Sequence, residues 1–366
     1  MYRHDKRTVI TLDAGGTNLV FGAMRGCEYV TEPVTYPSNA HNLDLCLDTM
    51  VKGFREIISR LDEKPMAISF AFPGPADYPN GIIGGYLPNF PSFREGVALG
   101  PFLKNEFGIP VFINNDGDLY AYGEALCGAL PDINRRLAEA GSSKRYSNLL
   151  GYTFGTGFGI GMVVNGQLNR GDNSCVETFC LPHRSRPGII TEEGVAVRAI
   201  RRVYAEVSGH TDHTFEPKEI CEIADGKREG DVEAAKRAFA EFGATAGDAM
   251  AIAAQLVDGI IVIGGGITAA RHHILPSLLA ELRSSLATLG GDPVRRVQME
   301  VFDLDNPVEF ASFAKGSPRR IAVRGTDMTV EYDSMKRIGV TFSKMGASRA
   351  ISAGAYAFAL SEIDRE

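Results

Sequence analysis

The spacing of apolar residues divides the first third of the chain into strands and helices. Short apolar runs bounded by glycine, proline or polar residues predict strands, and an apolar stripe over residues 43–61 predicts an amphipathic helix. Strands are predicted at residues 8–12, 19–23, 29–35, 66–71 and 111–113, and helices at 43–61 and 99–107. This order indicates an α/β unit with a mixed sheet.

A similar pattern returns in the second half of the chain. Strands are predicted at residues 148–154, 159–164 and 259–263, and helices at 193–207, 217–224, 232–256 and 269–286. We therefore expect two α/β lobes, a small one of residues 1–115 plus 347–366 and a larger one of residues 116–346. Residues 131–146 are polar and are interpreted as a surface excursion.

Residues 294–342 are interpreted as a β-rich insertion near the C-terminus. Their β-type stretches lie at 297–304, 308–313, 320–323 and 328–332, with turn signals between them. A decorated surface loop, an oligomer contact and a lid are all compatible with this pattern.

Composition and charge narrow the class of protein. The 366 residues carry a net charge of −7, which disfavours nucleic acid as the main partner because phosphate neutralisation requires a basic face. No apolar run approaches the roughly 18 residues of a membrane span, so we expect neither membrane insertion nor secretion. The six cysteines include no CxxC pair and are interpreted as reduced thiols of a cytoplasmic protein.

The stretch Asp13-Ala14-Gly15-Gly16-Thr17-Asn18 joins two apolar runs and has the residues of a phosphate-binding turn. Because Gly15 and Gly16 lack side chains, a phosphate is able to approach the backbone N–H groups. Asp13 is suited to hold a magnesium-bound water beside that phosphate, and Thr17 adds a hydroxyl donor. An ordinary hairpin uses the same residue types, so this stretch alone leaves both interpretations open.

Three further stretches, in the order expected, favour phosphoryl transfer from a nucleotide. A second glycine-rich turn spans residues 153–161, and residues 260–266 form a strand that runs into three glycines before a helix. Between them, the strand at 111–113 delivers Asn114, Asn115 and Asp116 at its end. Asn and Asp also cap helices, and capping is compatible with a catalytic role for Asp116.

These stretches resemble the ROK (repressor, open reading frame, kinase) sugar kinases, which are similar to bacterial glucokinases. The resemblance also rests on Phe72-Pro73-Gly74-Pro75, Leu87-Pro88-Asn89-Phe90-Pro91, Gly123-Glu124 and Asn165-Gly166. It spans most of residues 8–290 and resumes at 346–360. It implies an actin-like ATPase (ribonuclease H-like) fold, with two lobes, mixed sheets and a central cleft where sugar and nucleotide meet.

The resemblance also implies roles for individual residues. Asp116 matches the family's general base, which takes the proton of the sugar hydroxyl during γ-phosphoryl transfer. The implied sugar-binding residues are Gly74, Asn89, Asn115, Asp116, Glu177 and Glu193, with Glu192 left open beside Glu193. The implied ATP-binding residues are Asp13, Gly15, Gly16, Thr17, Asn18, Gly155, Thr156, Gly157, Gly264, Gly265 and Gly266, and Asp13 would hold Mg²⁺ through water.

The chain departs from the family pattern at the segment that usually binds sugar and zinc. Where the family has Glu-x-Gly-His, this chain reads Glu177-Thr178-Phe179-Cys180, and residues 187–193 replace the family's cysteine cluster. Cys175, Cys180 and His183 lack a fourth soft ligand and the usual close spacing, so we expect no structural zinc there. The missing histidine affects the identity of the sugar more than the reaction.

The expected function is transfer of phosphate from ATP to a hexose, at the 6-hydroxyl that is usual in the family, by a cytoplasmic homodimer. An N-acetylmannosamine or N-acetylglucosamine kinase is the main alternative, since such family members can also lack the zinc cluster. A non-catalytic, sugar-sensing ROK repressor would carry a helix-turn-helix, and only 12 residues precede Asp13. For an actin-like scaffold, Asn89, Asp116 and Glu177 would have no purpose.

Overall fold

The computed structural model describes residues 2–74, 76–209 and 215–365; Pro75, part of the predicted sugar-loop motif, lies outside them. The chain divides into two compact units. The first comprises Met1–Pro131, Gly161–Val176 and Lys344–Glu366, and the second comprises Asp132–Ile160 and Glu177–Ser343. Compared with the predicted lobes, the first unit also contains residues 116–131 and 161–176.

The first unit is built on a mixed sheet. Its strands are β1 (Val9–Ala14), β2 (Asn18–Arg25), β3 (Glu28–Tyr29), β4 (Val34–Pro37), β5 (Ala67–Ala71) and β8 (Val111–Asn114), and β6 (Ala76–Asp77) pairs with β7 (Ile82–Ile83). The order across the sheet is β3-β2-β1-β5-β8, with β4 also beside β2. β1, β5 and β8 are parallel neighbours, so their carboxyl ends share one edge.

Helices cover both faces of this sheet, which explains why β1 and β5 are almost wholly apolar. The helices are α1 (Leu43–Ser59), α2 (Leu99–Phe107), α3 (Asp116–Leu126) and α10 (Ala347–Ile363). On the sheet face that α1 covers, Phe21 of β2 and Phe54 of α1 meet edge to face with ring centroids 5.0 Å apart. α10 packs on the sheet, where Phe358 lies 6.0 Å from Phe112, and α3 packs on α10.

Another mixed sheet, most of whose strands belong to the second unit, has the order β11-β10-β9-β12-β18-β15, and β11 belongs to the first unit. Its strands are β9 (Leu149–Phe154), β10 (Phe158–Val164), β11 (Gln167–Leu168), β12 (Ile260–Gly264), β15 (Glu300–Asp303) and β18 (Arg337–Phe342). β9, β12, β18 and β15 run parallel. β10 begins in the second unit and ends in the first, whereas α4 (Ala129–Glu139) begins in the first unit and ends in the second.

A long alanine-rich helix organises the rest of the second unit. The helices are α5 (Val197–Ser208), α6 (Pro217–Ala224), α7 (Val232–Val257), α8 (Arg271–Leu282) and α9 (Pro307–Lys315). A Cβ on Gly243 of α7 would lie 2.3 Å from the carbonyl oxygen of Ile274, so this glycine permits close approach of α7 and α8. Phe242 meets Phe154 of β9 edge to face at 5.0 Å.

The prediction of a β-rich insertion at 294–342 is wrong in two respects. Residues 308–313 lie in a helix, because the Asn306 side chain accepts hydrogen bonds from the N–H groups of Val308 and Glu309 and Pro307 opens the first turn. β15 and β18 belong to the main sheet. Outside it are two hairpins, β13 (Ser285–Ala287) with β14 (Pro293–Arg295), and β16 (Pro318–Ala322) with β17 (Thr329–Asp333).

Two other predictions require correction. Residues 131–146 are not simply a surface excursion, since α4 occupies most of them and buries Ile133 and Leu137. The cysteines are not all reduced, since Cys27 and Cys127 form a disulfide. In the described residues, no helix is both long enough and apolar enough to cross a membrane.

Candidate functional site

The carboxyl ends of three neighbouring strands bring predicted site residues together in the first unit. Asp13 of β1 is in register with Ala71 of β5, and Ala71 is in register with Asn114 of β8. Gly74 lies three residues beyond β5, and Asp116 lies two residues beyond β8. Ligands of open α/β sheets bind outside this edge, so the residues are placed where a ligand would be expected.

Backbone hydrogen bonds hold the turn between β1 and β2. The Gly15 N–H donates to the Asn18 carbonyl oxygen at 3.0 Å, and the Ser38 N–H donates to the Thr17 carbonyl oxygen at 2.9 Å. The Ser38 hydroxyl donates to the carbonyl oxygen of Gly16. The turn is therefore held in one conformation before any ligand arrives.

The predicted sugar loop packs directly on this turn. A Cβ on Gly16 would lie 3.0 Å from the Cβ of Asn89 and 3.3 Å from its carbonyl oxygen. Gly74 borders Tyr78, whose hydroxyl donates to the Phe72 carbonyl oxygen at 2.9 Å. The glycines thus allow two loops from different parts of the chain to approach each other and the strand ends.

Asp116 is the first residue of α3. The helix is capped by Asn115, whose side-chain oxygen accepts from the Gly117 N–H at 2.7 Å. The Gly117 N–H also lies 2.9 Å from Oδ1 of Asp116. Capping therefore belongs mainly to Asn115, which leaves Asp116 with a second oxygen for other contacts.

The environment of Asp116 suits a proton acceptor. As a residue Asp116 is exposed by surface area, yet protein atoms crowd its carboxyl group. This desolvation, with the negative charge of Asp13 as a smaller contribution, raises the pKa of Asp116, while the hydrogen bond from Gly117 opposes the rise. A pKa closer to neutral pH favours general base catalysis.

The position of α3 is fixed by very close packing against α10. A Cβ on Gly123 would lie 1.9 Å from the carbonyl oxygen of Ala350, and a Cβ on Gly354 would lie 1.8 Å from that of Leu119. Neither glycine can be replaced without moving one helix. At the far end, Cys127 links α3 to the β2–β3 turn through the disulfide. The helix that carries Asp116 is therefore rigidly anchored.

Two residues beside this edge were missed by the sequence analysis. Asp118 is buried, which raises its pKa to about 7; Arg170 lowers that pKa and Asp116 raises it further. Nη1 of Arg170 donates to Oδ1 of the buried Asn114 at 2.8 Å, and its guanidinium lies 5.0 Å from the ring centroid of Phe358. Arg170 belongs to no glycine-rich motif, so no local signal could have identified it.

In the second unit, the two glycine-rich turns lie side by side at the ends of the parallel strands β9 and β12. Gly265 has a φ of +96°, and a Cβ there would lie 2.2 Å from the carbonyl oxygen of Phe154, so glycine is required. The Gly155 N–H donates to the Gly157 carbonyl oxygen at 3.2 Å. A Cβ on Gly155 or Gly266 would meet no atom within 4 Å, so both turns border open space.

Glu192, the alternative to Glu193, contacts the first of these turns. Its Oε2 accepts from the Phe158 N–H at 3.0 Å. Arg198 donates to the Thr156 carbonyl oxygen at 3.2 Å and also pairs with both glutamates, at 2.8 Å each. Sugar binding by Glu193 stays a prediction, and a sugar hydroxyl would have to share its carboxylate with this arginine.

The segment that departs from the family pattern has no histidine in the expected place. Glu177 is half-buried and Cys180 is exposed. His183 is buried, its Nδ1 accepts from the Ser185 N–H at 3.2 Å, and burial together with neighbouring arginines lowers its pKa. His183 therefore supports its own loop, and the sugar-binding role of Glu177 stays a prediction.

The sequence model of the ROK family matches residues 9–307. A glucokinase of known structure from Parabacteroides distasonis is 57% identical, with a TM-score of 0.90 and coverage of 99% of both chains. The similarity between this chain and that glucokinase therefore extends over residues 294–342. The predicted α/β, actin-like ATPase fold with mixed sheets is confirmed.

Curated relatives include both kinases and repressors. A β-glucoside kinase from Listeria monocytogenes is 28% identical over 232 residues, which are 61% of this chain and 70% of that protein. A xylose repressor from Bacillus spizizenii is 28% identical over 131 residues, which are 35% of this chain but only 30% of the repressor.

Proposed function

Because the chain belongs to the ROK family, we propose that it is an ATP-dependent hexose kinase with Asp116 as its general base. The observation that carries this proposal is the strand register that aligns Asp13, Ala71 and Asn114 at one edge of the first sheet. Asp116 follows that edge at the start of α3, where the charge of Asp13 acts on it, and the turn at Gly16 packs on Asn89, which supports the proposal. The 57% identity to a glucokinase over nearly the whole chain supports the same reaction.

In the proposed reaction, the sugar 6-hydroxyl attacks the γ-phosphorus of ATP. Asp116 accepts the hydroxyl proton as the new O–P bond forms, and ADP leaves with the electron pair of the broken bond. The raised pKa of Asp116 favours this proton transfer. Asn89, Asn115 and the backbone at Gly74 orient the sugar through hydrogen bonds that its hydroxyls both donate and accept.

Each unit offers turns that suit a nucleotide. In the first unit, the turn at Gly15 and Gly16 is held rigidly beside Asp13, and in the second unit the turns at Gly155 and Gly266 border open space. Backbone N–H groups in such turns bind phosphate oxygens, and a carboxylate in Asp13's position suits a hydrated Mg²⁺. When bound, Mg²⁺ neutralises charge on the phosphate oxygens.

An N-acetylhexosamine kinase is the second candidate, favoured by the exposed Cys180 in place of the family's sugar-binding histidine. A smaller side chain there leaves more room beside the sugar, which an acetamido group would need. The homodimer and the cytoplasmic location remain part of the proposal. A kinase that consumes ATP has to act where ATP is supplied.

A sugar panel tests the proposal. The purified chain is incubated with Mg²⁺, ATP and glucose, mannose, N-acetylglucosamine or N-acetylmannosamine, and ADP is measured by a coupled assay. We expect glucose-dependent ADP release, glucose 6-phosphate as product, and no turnover of 6-deoxyglucose. A preference for an N-acetylhexosamine would establish the second candidate. If a sugar binds but none of the four sugars releases ADP, the kinase assignment is refuted and a sensor is favoured.

A further inference from the structure

In the part of the chain that the structure describes, one group of thiol, imidazole and carboxylate side chains lies close enough to share a metal ion. The group consists of Cys221, Asp225, His272 and His273, and one ligand atom from each lies within 4.8 Å of the others. All four belong to the second unit. None lies in the segment where the family's cysteine cluster would be, at residues 187–193.

Two helix ends bring these side chains together. Cys221 lies on α6 and Asp225 is the residue that caps its C-terminus, so the spacing of four residues puts them on one face. His272 and His273 lie in the first turn of α8, which follows the glycine turn at 264–266 and the 3₁₀ turn Gly266–Ala270. α6 also packs against that 3₁₀ turn.

The geometry converges on one carboxylate oxygen. Nε2 of His272 and Nε2 of His273 each lie 2.8 Å from Oδ1 of Asp225. The ring of His273 stacks on Phe239 with a centroid distance of 5.7 Å and an interplanar angle of 19°, which fixes its orientation. Lys227 donates to the other oxygen, Oδ2, at 2.9 Å. One oxygen is thus oriented toward both imidazoles while the lysine holds the other.

The donor set matches the preferences of zinc. One thiolate, two imidazoles and one carboxylate are four ligands of the types that zinc takes in tetrahedral protein sites. Ligand atoms at the usual zinc distances are about 3.4 Å from one another in a tetrahedron, between the 2.8 Å and 4.8 Å limits found here. Small side-chain rotations are therefore sufficient.

We propose that Cys221, Asp225, His272 and His273 form a zinc site that ties the C-terminus of α6 to the N-terminus of α8. Lys227 then acts as an outer partner, because its hydrogen bond to Oδ2 leaves Oδ1 of Asp225 for the metal. The site is structural, since all four positions are filled by protein ligands. It holds the helix that follows the predicted nucleotide turn at 264–266.

Two metal-binding measurements test the site without any dependence on kinase activity. The full chain, stripped with a chelator, is titrated with Zn²⁺ against a chromophoric competitor, and Co²⁺ is added separately to record its absorption spectrum. We expect one Zn²⁺ per chain and a tetrahedral cobalt spectrum with a thiolate-to-cobalt charge-transfer band. Absence of stoichiometric zinc binding would overturn the proposal.

Variants identify the ligands. Cys221→Ser should abolish the charge-transfer band, and His272→Gln, at an exposed position that tolerates the change, should weaken Zn²⁺ binding by at least about tenfold. The matched control is Cys180→Ser, which removes an exposed cysteine outside the group. Loss of the band in the control, or unchanged zinc affinity in both Cys221→Ser and His272→Gln, would refute the assignment. Circular dichroism confirms that each variant is folded.

Discussion

The buried carboxyl of Asp118 makes the stability of the protein depend on pH. Its folded-state pKa is about 7, raised from an ordinary 3.8 mainly because burial disfavours the charged form. Asp118→Asn keeps the size and shape of the side chain and removes its charge. The variant should therefore lose the pH dependence that Asp118 contributes, while the packing of α3 stays the same.

The sign and size of the effect follow from linkage. A carboxyl whose pKa is raised by folding stabilises the protein fully below its unfolded pKa, and that contribution is lost as pH rises through the folded pKa. The shift of about three units, at about 1.36 kcal/mol each, gives an upper limit of roughly 4 kcal/mol. As the pH rises from 5 to 8, the contribution of Asp118 to the free energy of unfolding falls by about 2–3 kcal/mol.

The assay is urea unfolding followed by far-ultraviolet circular dichroism, since the chain has no tryptophan for fluorescence. We expect the stability of Asp118→Asn, relative to the native chain, to increase by about 2–3 kcal/mol from pH 5 to pH 8. Asp62→Asn, at an exposed carboxyl, is the control and should show no such trend. A stability difference that does not vary with pH would contradict the raised pKa of Asp118.

Two further predictions concern stability and are measured by the same urea unfolding. Gly265→Ala should destabilise the second unit by about 3 kcal/mol, because its Cβ would clash with the carbonyl oxygen of Phe154 and its φ is left-handed. Gly290→Ala, the control, should have little effect. Equal losses of stability in the two variants would contradict this prediction. Under oxidising conditions, Cys127→Ser should lower the free energy of unfolding by up to about 4.7 kcal/mol, because the bond with Cys27 closes a loop of 100 residues. Once dithiothreitol is added to both proteins, the variant and the native chain should be equally stable. An equal cost with and without reductant would show that packing, not the disulfide, is responsible.

Much of the fold could be predicted because its elements carry local signals. The apolar runs that become β1, β5 and β8 lead to Asp13, Ala71 and Asn114, which are in register on neighbouring parallel strands. The neighbourhood of Asp13 and Asp116 therefore follows from the strand pattern. The helix at 308–313 had a local signal too. Asn306 followed by a proline is a typical helix start, but the apolar density behind it favoured a strand.

The remaining features depend on contacts between distant parts of the chain. Arg170 reaches Asn114 across 56 residues, and Cys27 reaches Cys127 across 100 residues, and no local pattern encodes either pairing. The same holds for His272 and Asp225, which are 47 residues apart. Spacing reveals a site when its residues share a helix or a turn, and fails when the fold assembles them.

In the proposed reaction, Asp116 takes the proton of the sugar hydroxyl. The turnover number of Asp116→Asn with saturating sugar and Mg·ATP, measured beside the affinity of the variant for ATP, tests this role. We predict that turnover falls by about 10²–10⁴ while ATP still binds, since the amide keeps the shape but cannot accept the proton. Turnover close to that of the native chain would show that Asp116 is not the general base.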